Sequence, residues 1–256
     1  MIISIAIQKG GSGKTTTAIN VAASLRDRDY SVLLVDLDPQ TNLTQSMGIV
    51  HDVEPNIYTL LKHKDDGGDL KIRQVIIEAN GIDLIPSSLD LASAELELVS
   101  AFGGETFLEQ ILNEIISEYD FIIIDCPPSI GLLTVNALKA SDFVMIPLQA
   151  EFLPFKGVHG FMKSLIKIKR QLRLDIKVLG YVLTKYDNRK NLNQKVFQQL
   201  KEQFGDQVFE TRIRTNIALA QAQAKGVDIY YFNNRCNGAQ DYDNLTSEIL
   251  ERLKNL

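Results

Sequence analysis

The chain has almost no cysteine, little histidine and no long apolar run. Cys126 and Cys236 are its only cysteines and stand far apart, while His51, His63 and His159 are scattered. Neither a structural zinc site nor a disulfide framework is expected from that pattern. No apolar stretch approaches the roughly 18–20 residues of a membrane span. Met1 leads directly into a strand pattern, so no signal peptide is expected and the chain is placed in the cytoplasm. There is no internal repeat, and the one linker-like stretch, Lys62 to Gly68, is too short to divide domains. With 256 residues and 45% hydrophobic content, a full core can be buried by one α/β domain spanning residues 1–256.

Charge is unevenly spread. The total is −5, but residues 156–201 carry twelve Lys and Arg against Asp175 and Asp187, a net of +10 that leaves −15 on the remainder. A run of cations is commonly a solvated helix face; it is also the footprint expected for binding a polyanion such as nucleic acid.

Short, continuous, β-branched runs occur at Ile2–Ile7, Val32–Val35, Ile82–Ile85, Phe121–Ile124, Phe143–Pro147 and Val178–Thr184, as strands buried on both faces require. Helical patterns separate most of them. In Val158–Leu172 the apolar Val158, Phe161, Leu165, Ile168 and Leu172 recur at three- and four-residue intervals and leave Lys163, Lys167 and Arg170 on another face. The alternation predicts an α/β fold, a doubly wound and mainly parallel sheet flanked by helices. Its ligand site should lie at the carboxyl ends of the strands.

The first strand runs straight into Gly10-Gly11-Ser12-Gly13-Lys14-Thr15. Small residues at such a turn let successive N–H groups face inward and cradle phosphate oxygens at a helix start. Lys14 would reach the β- and γ-phosphates and the Thr15 hydroxyl would ligate Mg²⁺, giving a P-loop NTPase fold. Lys9, just before the glycines, is a second lysine that an ordinary P-loop does not need. Asp36 and Asp38 follow one buried strand and Asp125 another. Beside a P-loop, such carboxylates can hold metal-bound waters or orient the water that attacks the γ-phosphate; their other use is to end a strand or cap a helix.

Taken together these segments resemble the ParA family of partition ATPases, within the deviant Walker A group that also contains MinD and the nitrogenase iron protein. Lys9 through Thr16 is similar to the family's KGGxGKTT loop. Asp36-Leu37-Asp38-Pro39-Gln40-Thr41-Asn42 is similar to its DxDPQxN motif, and Asp125-Cys126-Pro127-Pro128-Ser129 to its DCPPS motif. Further matches lie at residues 85–91 and 136–138, so the likeness covers nearly the whole chain. It is to the small form without an N-terminal helix-turn-helix. The resemblance implies ATP and Mg²⁺ as cofactors, with Lys9, Gly10, Gly11, Ser12, Gly13, Lys14, Thr15 and Thr16 around the phosphates and Asn216 at the adenine pocket. Thr15, Asp36 and Asp125 would serve the metal. Lys9, Lys14 and Asp38 would be catalytic, Lys9 by crossing an ATP-dependent sandwich dimer to the partner's phosphates and Asp38 by orienting water.

The resemblance also implies non-specific binding to double-stranded DNA. Arg189 matches a DNA-contacting position, and Lys190, Lys163, Lys167 and Arg170 belong to the same basic stretch. Where many members read Ile-Pro-Arg-Asn, this chain has Ile213-Arg214-Thr215-Asn216, so Arg214 is a displaced candidate. A ParB-like or cargo-adaptor protein would stimulate a weak ATPase, and the protein would associate with the nucleoid and not with membrane. The alternative is a MinD-like membrane-positioning ATPase, which needs a terminal amphipathic helix with a basic face. Here the Leu245, Ile249, Leu253 and Leu256 stripe is accompanied by Glu248 and Glu251 as well as Arg252 and Lys254, which reads better as a docked closing helix. An iron–sulfur ATPase would need a cysteine set that Cys126 and Cys236 do not make.

Overall fold

A computed structural model describes residues 1–150 and 154–255, the side chains of 154–156 excepted. The side chain of Lys156, in the basic stretch, and Leu256 of the terminal stripe therefore lie outside what is described. The strands are β1 (Ile2–Ile5), β2 (Val32–Asp36), β3 (Ile77–Ala79), β4 (Ile82–Ile85), β5 (Phe121–Asp125), β6 (Phe143–Gln149), β7 (Lys177–Tyr186) and β8 (Val208–Arg214). They form one eight-stranded sheet in the order β3-β4-β2-β5-β1-β6-β7-β8. β3 runs antiparallel to β4, and the other neighbours are parallel.

The helices are α1 (Lys14–Arg26), α2 (Asn42–Ser46), α3 (Ile57–Asp66), α4 (Leu91–Glu97), α5 (Phe107–Asn113) and α6 (Leu132–Ala140), followed by α7 (Pro154–Leu172), α8 (Asn191–Phe204), α9 (Ile217–Ala224), α10 (Ile229–Asn233) and α11 (Asn237–Lys254). Period-two alternation in the strands sends side chains to two cores. Leu33, Val35, Ile122 and Ile124 pack under α3–α8, while Val32, Leu34, Phe121 and Ile123 pack under α1, α2 and α9–α11. This is the doubly wound arrangement that the alternating runs predict. Its parallel strands bring the ends of β1, β2, β5, β6, β7 and β8 to one edge of the sheet.

Two elements and one connection differ from expectation. β3 is a three-residue edge strand, and β8 reads Val-Phe-Glu-Thr-Arg-Ile-Arg, too mixed for the continuous apolar signal of a buried strand. The supposed linker Lys62–Gly68 is largely the second half of α3. Asn56 starts that helix with a capping box, accepting from Thr59 N–H while the Thr59 hydroxyl takes the Asn56 N–H, and Gly67 ends it at φ 71°. Its charged residues are a solvated helix face. The terminal stripe behaves as a docked helix: Leu245 and Ile249 are fully buried and Leu253 packs against the same core. Among the described residues no helix is long and apolar enough to cross a membrane.

α2 is held to α9 by a backbone crossing at Gly48 (φ 90°) and Gly226 (φ 71°), where a Cβ on Gly226 would come within 2.5 Å of Gly48 Cα. Asn80 fastens the crossing, its amide donating to Met47 O at 3.3 Å and Gly226 O at 3.0 Å. Gly226→Ala should therefore combine left-handed strain with a backbone clash and destabilise by about 2 kcal/mol or more. Thermal unfolding should show a midpoint lowered by roughly 4–8 °C; an unchanged midpoint would mean that the crossing yields without cost.

Candidate nucleotide site

The P-loop turns between the end of β1 and the start of α1 with Gly11 at φ 69° and Gly13 at φ 90°, conformations in which a Cβ is strained. No side chain caps α1 at Gly13, and its first turn carries no acid. Its leading N–H groups and the positive end of its dipole are thus available to an anion. Two strands fix the orientation of the loop from behind. Thr184, near the end of β7, donates its hydroxyl to Ser12 O at 2.8 Å, and the Gln149 amide, at the end of β6, donates to Gly11 O. With these carbonyls turned toward the sheet, the intervening N–H groups turn toward the cavity.

Lys14 is buried, 7% exposed, and its Nζ donates to Lys9 O at 3.4 Å. The Thr15 hydroxyl donates to Asp125 Oδ2 at 2.6 Å. Asp125 Oδ1 is buried and has no hydrogen-bond partner. Asp125 stands in register with Asp36 on the neighbouring strand, and both are fully buried. Burial, then the nearby Asp36 charge, raises the Asp125 carboxyl well above the ordinary range, against the opposing pull of Thr15 and Lys14. An oxygen left unmet beside a hydroxyl and a buried lysine fits a hard divalent cation, which prefers oxygen ligands.

Asp36, expected at the metal, is bonded within its own loop. Its Oδ1 accepts the Asp38 N–H at 3.1 Å, and its Oδ2 accepts the Thr44 N–H at 2.9 Å and the Thr44 hydroxyl at 2.7 Å. Both oxygens are thus committed to shaping the loop that carries Asp38, although burial still pushes the carboxyl up to about 6. Ser87 closes the same frame, giving its N–H to Thr44 Oγ1 at 3.0 Å and its hydroxyl to Asp38 O at 2.9 Å. Asp38 itself accepts the Gln40 N–H at 3.0 Å and lines the cavity.

That cavity holds about 550 Å³ and joins residues 10–16 and Asp38 to the start of α9, a size that suits a small-molecule ligand. At the far end Asn216 caps α9 by accepting the Ala218 N–H at 2.9 Å, and Leu219 and Ala220 give apolar wall. Gln223 accepts the Thr16 hydroxyl at 3.3 Å, tying α9 to the P-loop. Lys9 is half-buried beside the loop and does not line the cavity among the described residues.

The basic candidates do not gather in one place. Lys163, Lys167 and Arg170 are exposed on α7, and Arg189 and Lys190 are exposed in the turn from β7 to α8. His159 of α7 meets Gln203 of α8 at 3.0 Å, so the two helices lie side by side. Arg189 is 90% exposed and pairs with Asp187 at 3.0 Å, whose carboxyl this pairing lowers to about 2. Arg214 is elsewhere, at the cavity rim. Its N–H reaches Asp241 Oδ2 at 2.8 Å and its guanidinium Asp241 Oδ1 at 2.6 Å, which anchors the end of β8 to α11. Gln149, Thr184, Thr44 and Asp241 escape a reading of motifs, and Ser87, inside the matched segment 85–91, was given no role by it. The positions of Gln149, Thr184 and Ser87, close to the carboxyl ends of strands, offered a signal.

The AAA domain family model matches residues 1–178. The sporulation initiation inhibitor protein Soj of Bacillus subtilis is 41% identical over 249 residues, 97% of each chain. Among solved structures, the cobyrinic acid a,c-diamide synthase of Mycobacterium smegmatis with bound ATP analog and magnesium superposes with a TM-score of 0.85 at 31% identity, covering 99% of this chain and 95% of that one. A plasmid partition protein of Borrelia burgdorferi bound to AMPPNP gives 0.82 at 28% identity, covering 100% and 99%. The chain belongs to the ParA family of partition ATPases.

Thr44→Val tests the frame around Asp38 without touching the cavity. It removes one hydroxyl bond from a fully buried carboxylate and leaves the Ser87 N–H unmet, which should cost about 1–3 kcal/mol. Urea unfolding should show a lower midpoint with an unchanged slope; an unshifted midpoint would contradict the frame.

Proposed function

We propose that the whole chain acts as one ATPase domain that binds ATP with Mg²⁺ in this cavity and uses the bound nucleotide to form a sandwich dimer. The observation that carries the reading is the convergence on one cavity wall of an uncapped P-loop, Thr15 and a buried Lys14, with Thr15 bonded to the buried Asp125 behind it, whose other oxygen lacks a partner. Magnesium is bound with the ATP analog in the M. smegmatis protein; here Thr15 and Asp125 are the oxygen donors that would hold it. Bound there, Mg²⁺ would offset charge on the β- and γ-phosphates. Lys14 supplies a fixed cation to the same oxygens, and residues 10–16 supply N–H groups that need no reorganisation. Asp38, held rigid by Asp36 and Ser87, orients the attacking water. Asn216 and α9 receive the adenine.

Lys9, beside the cavity and not in its wall, is assigned to the partner's phosphates. A cation delivered across an interface stabilises transition-state charge only after assembly, as an arginine finger does. ATP then becomes a dimerisation switch and hydrolysis its release. The dimer would bind double-stranded DNA without sequence preference through Lys163, Lys167, Arg170, Arg189 and Lys190. Arg214 has a lesser part because Asp241 already holds it. A ParB-like or cargo-adaptor protein would stimulate the slow hydrolysis, and the protein would work in the cytoplasm on the nucleoid to partition or position plasmid, chromosome or other cargo.

Two other readings have less support. A MinD-like membrane anchor would need the apolar stripe of α11, whose Leu245 and Ile249 are buried in the core. Amide transfer, suggested by the name of the M. smegmatis protein, would need a nucleophile at the cavity. Cys126 is fully buried, with its thiol pushed far above the ordinary value by burial, and no histidine lines the cavity among the described residues.

Three variants separate the roles. Lys14→Ala should lose ATP binding at least tenfold and remain monomeric. Lys9→Ala should bind ATP yet fail to dimerise, and Asp38→Ala should lose most turnover while accumulating as an ATP-bound dimer. Light scattering with ATP and Mg²⁺, run beside phosphate release, reads all three. A Lys9→Ala dimer equal to wild type would remove the role across the interface.

DNA binding has its own test. Arg189→Glu with Lys190→Glu should weaken binding to any duplex and flatten the salt dependence of log affinity by about 0.9 for each phosphate no longer neutralised. Dimerisation should be spared. Mobility shifts across a salt series that show no change for this pair or for Lys163→Glu with Lys167→Glu would reduce the basic stretch to a solvated surface.

A further inference from the structure

Four buried side-chain oxygens among the described residues have no hydrogen-bond partner: Ser12 Oγ, Ser88 Oγ, Glu95 Oε1 and Asp125 Oδ1. A buried acceptor left unmet is costly and uncommon, so each needs a reason. Ser12 and Asp125 belong to the nucleotide site itself. Ser88 and Glu95 stand behind its wall, on the stretch that runs from the end of β4 into α4. That stretch is fastened to the loop of Asp38 by the two bonds of Ser87. Its helix is firmly seated, with Leu91, Ala94 and Leu98 each no more than 3% exposed.

Glu95 meets the other loop of the site. Residues 126–131 join Asp125 to α6, and Pro128 among them lines the cavity. The Glu95 carboxyl lies against Gly131, the last of them: a Cβ on Gly131 would come within 2.7 Å of Glu95 Cδ, so the two are already in contact. α6 begins here with unmet donors. Its ladder opens with the Val135 N–H donating to Gly131 O at 3.1 Å, which leaves the N–H groups of Leu132, Leu133 and Thr134 without an acceptor inside the helix. No side chain caps α6 at Gly131, and its first turn carries no acid. An unmet acceptor and a set of unmet donors therefore stand side by side without joining. Thr134 donates its hydroxyl to Ser129 O at 2.6 Å, so a shift of residues 126–131 carries the first turn of α6 with it.

We propose that Glu95 is a positioning residue for the nucleotide site. When ATP and Mg²⁺ occupy the cavity, residues 126–131 shift and Glu95 Oε1 accepts the leading N–H groups of α6, which holds the segment and Asp125 in the ligand-bound geometry. Glu95 touches no ligand and acts only through that segment. Because the bond exists in one state, its free energy appears as affinity for the ligand and not as stability of the empty protein. The loops of Asp38 and Asp125, joined behind the wall by the β4–α4 stretch, then answer to one ligand together. This inference deepens the reading of the cavity as an ATP site and rests on it.

The test uses the full chain with AMPPNP and Mg²⁺. Affinity is read by titration calorimetry, stability by thermal midpoints without nucleotide, and the bond itself by hydrogen exchange at Leu132, Leu133 and Thr134. A hydrogen bond to a charged group is worth about tenfold or more in an equilibrium, so Glu95→Ala should bind AMPPNP at least fivefold more weakly while its midpoint without nucleotide is not lowered. Glu95→Gln, which keeps an acceptor oxygen in the same shape, should stay within about threefold of wild type. Exchange at the three amides should slow at least fivefold when wild type binds AMPPNP, and less than twofold in Glu95→Ala. Wild-type affinity or undiminished protection in Glu95→Ala overturns the proposal, as does a Glu95→Gln chain as weak as Glu95→Ala. A lowered midpoint or a failure to fold in Glu95→Ala without nucleotide makes Glu95 a structural residue and overturns it too. A wild type that binds AMPPNP without gaining protection removes this inference and leaves the ATP reading standing; one that binds no nucleotide removes both.

Discussion

Two carboxylates side by side at zero exposure, Asp36 and Asp125 on paired strands, are the constraint around which the nucleotide edge is organised. A buried anion is costly unless its lone pairs are met, and two together add mutual repulsion. The protein meets the two demands differently. Asp36 is satisfied from its own loop by Asp38 N–H and by Thr44, so its charge is converted into backbone shape. Asp125 is satisfied only by half, through Thr15, and its other oxygen is buried without a hydrogen-bond partner. The same repulsion that would destabilise an ordinary core here creates affinity for a ligand, since whatever brings positive charge to the edge also relieves the pair.

The P-loop depends on this arrangement as much as it creates it. Its glycines allow the turn, but hydrogen bonds from Thr184 and Gln149 decide which way the peptides face. Those residues come from β7 and β6, so the phosphate cradle is assembled across the sheet and not within one βα unit. α9 joins the frame at two points: Gln223 takes the Thr16 hydroxyl, and the helix ends at the Gly226 crossing with Gly48. Gly48 in turn follows α2, whose Thr44 holds Asp36. A continuous chain of short contacts therefore links the α9 end of the cavity, the P-loop and the loop of Asp38, so that a ligand seated at any one of them bears on the geometry of the other two.

Six of the eight strands and the winding of the helices were legible because continuous β-branched runs leave few alternatives at their length. β8 was not, since Glu210, Arg212 and Arg214 interrupt its pattern and its support comes from α11, where Glu248 accepts the Glu210 and Thr211 N–H groups at 2.9 and 3.0 Å. α3 hid behind its charges, because a surface helix with a good cap needs little apolar content. At the site, the glycines, Lys14, Thr15, Asp38 and Asp125 stood out as chemistry near strand ends. The employment of Asp36 did not, because it turns on Thr44, eight residues away, and on Ser87, which arrives from the end of β4. Arg214 likewise gave no sign that Asp241, on a helix 27 residues later, would hold it.

The separation of charge acquires meaning only in the folded chain. The basic α7 and α8 and the acidic segment containing α4 and α5 cover the same face of the sheet, the former toward β6 and β7 and the latter toward β2 and β5. Linear order alone does not require this; a different winding would have put them back to back or interleaved them. As arranged, the positive and negative side chains of the folded chain are gathered on opposite flanks of one sheet face and give that face two ends of opposite potential.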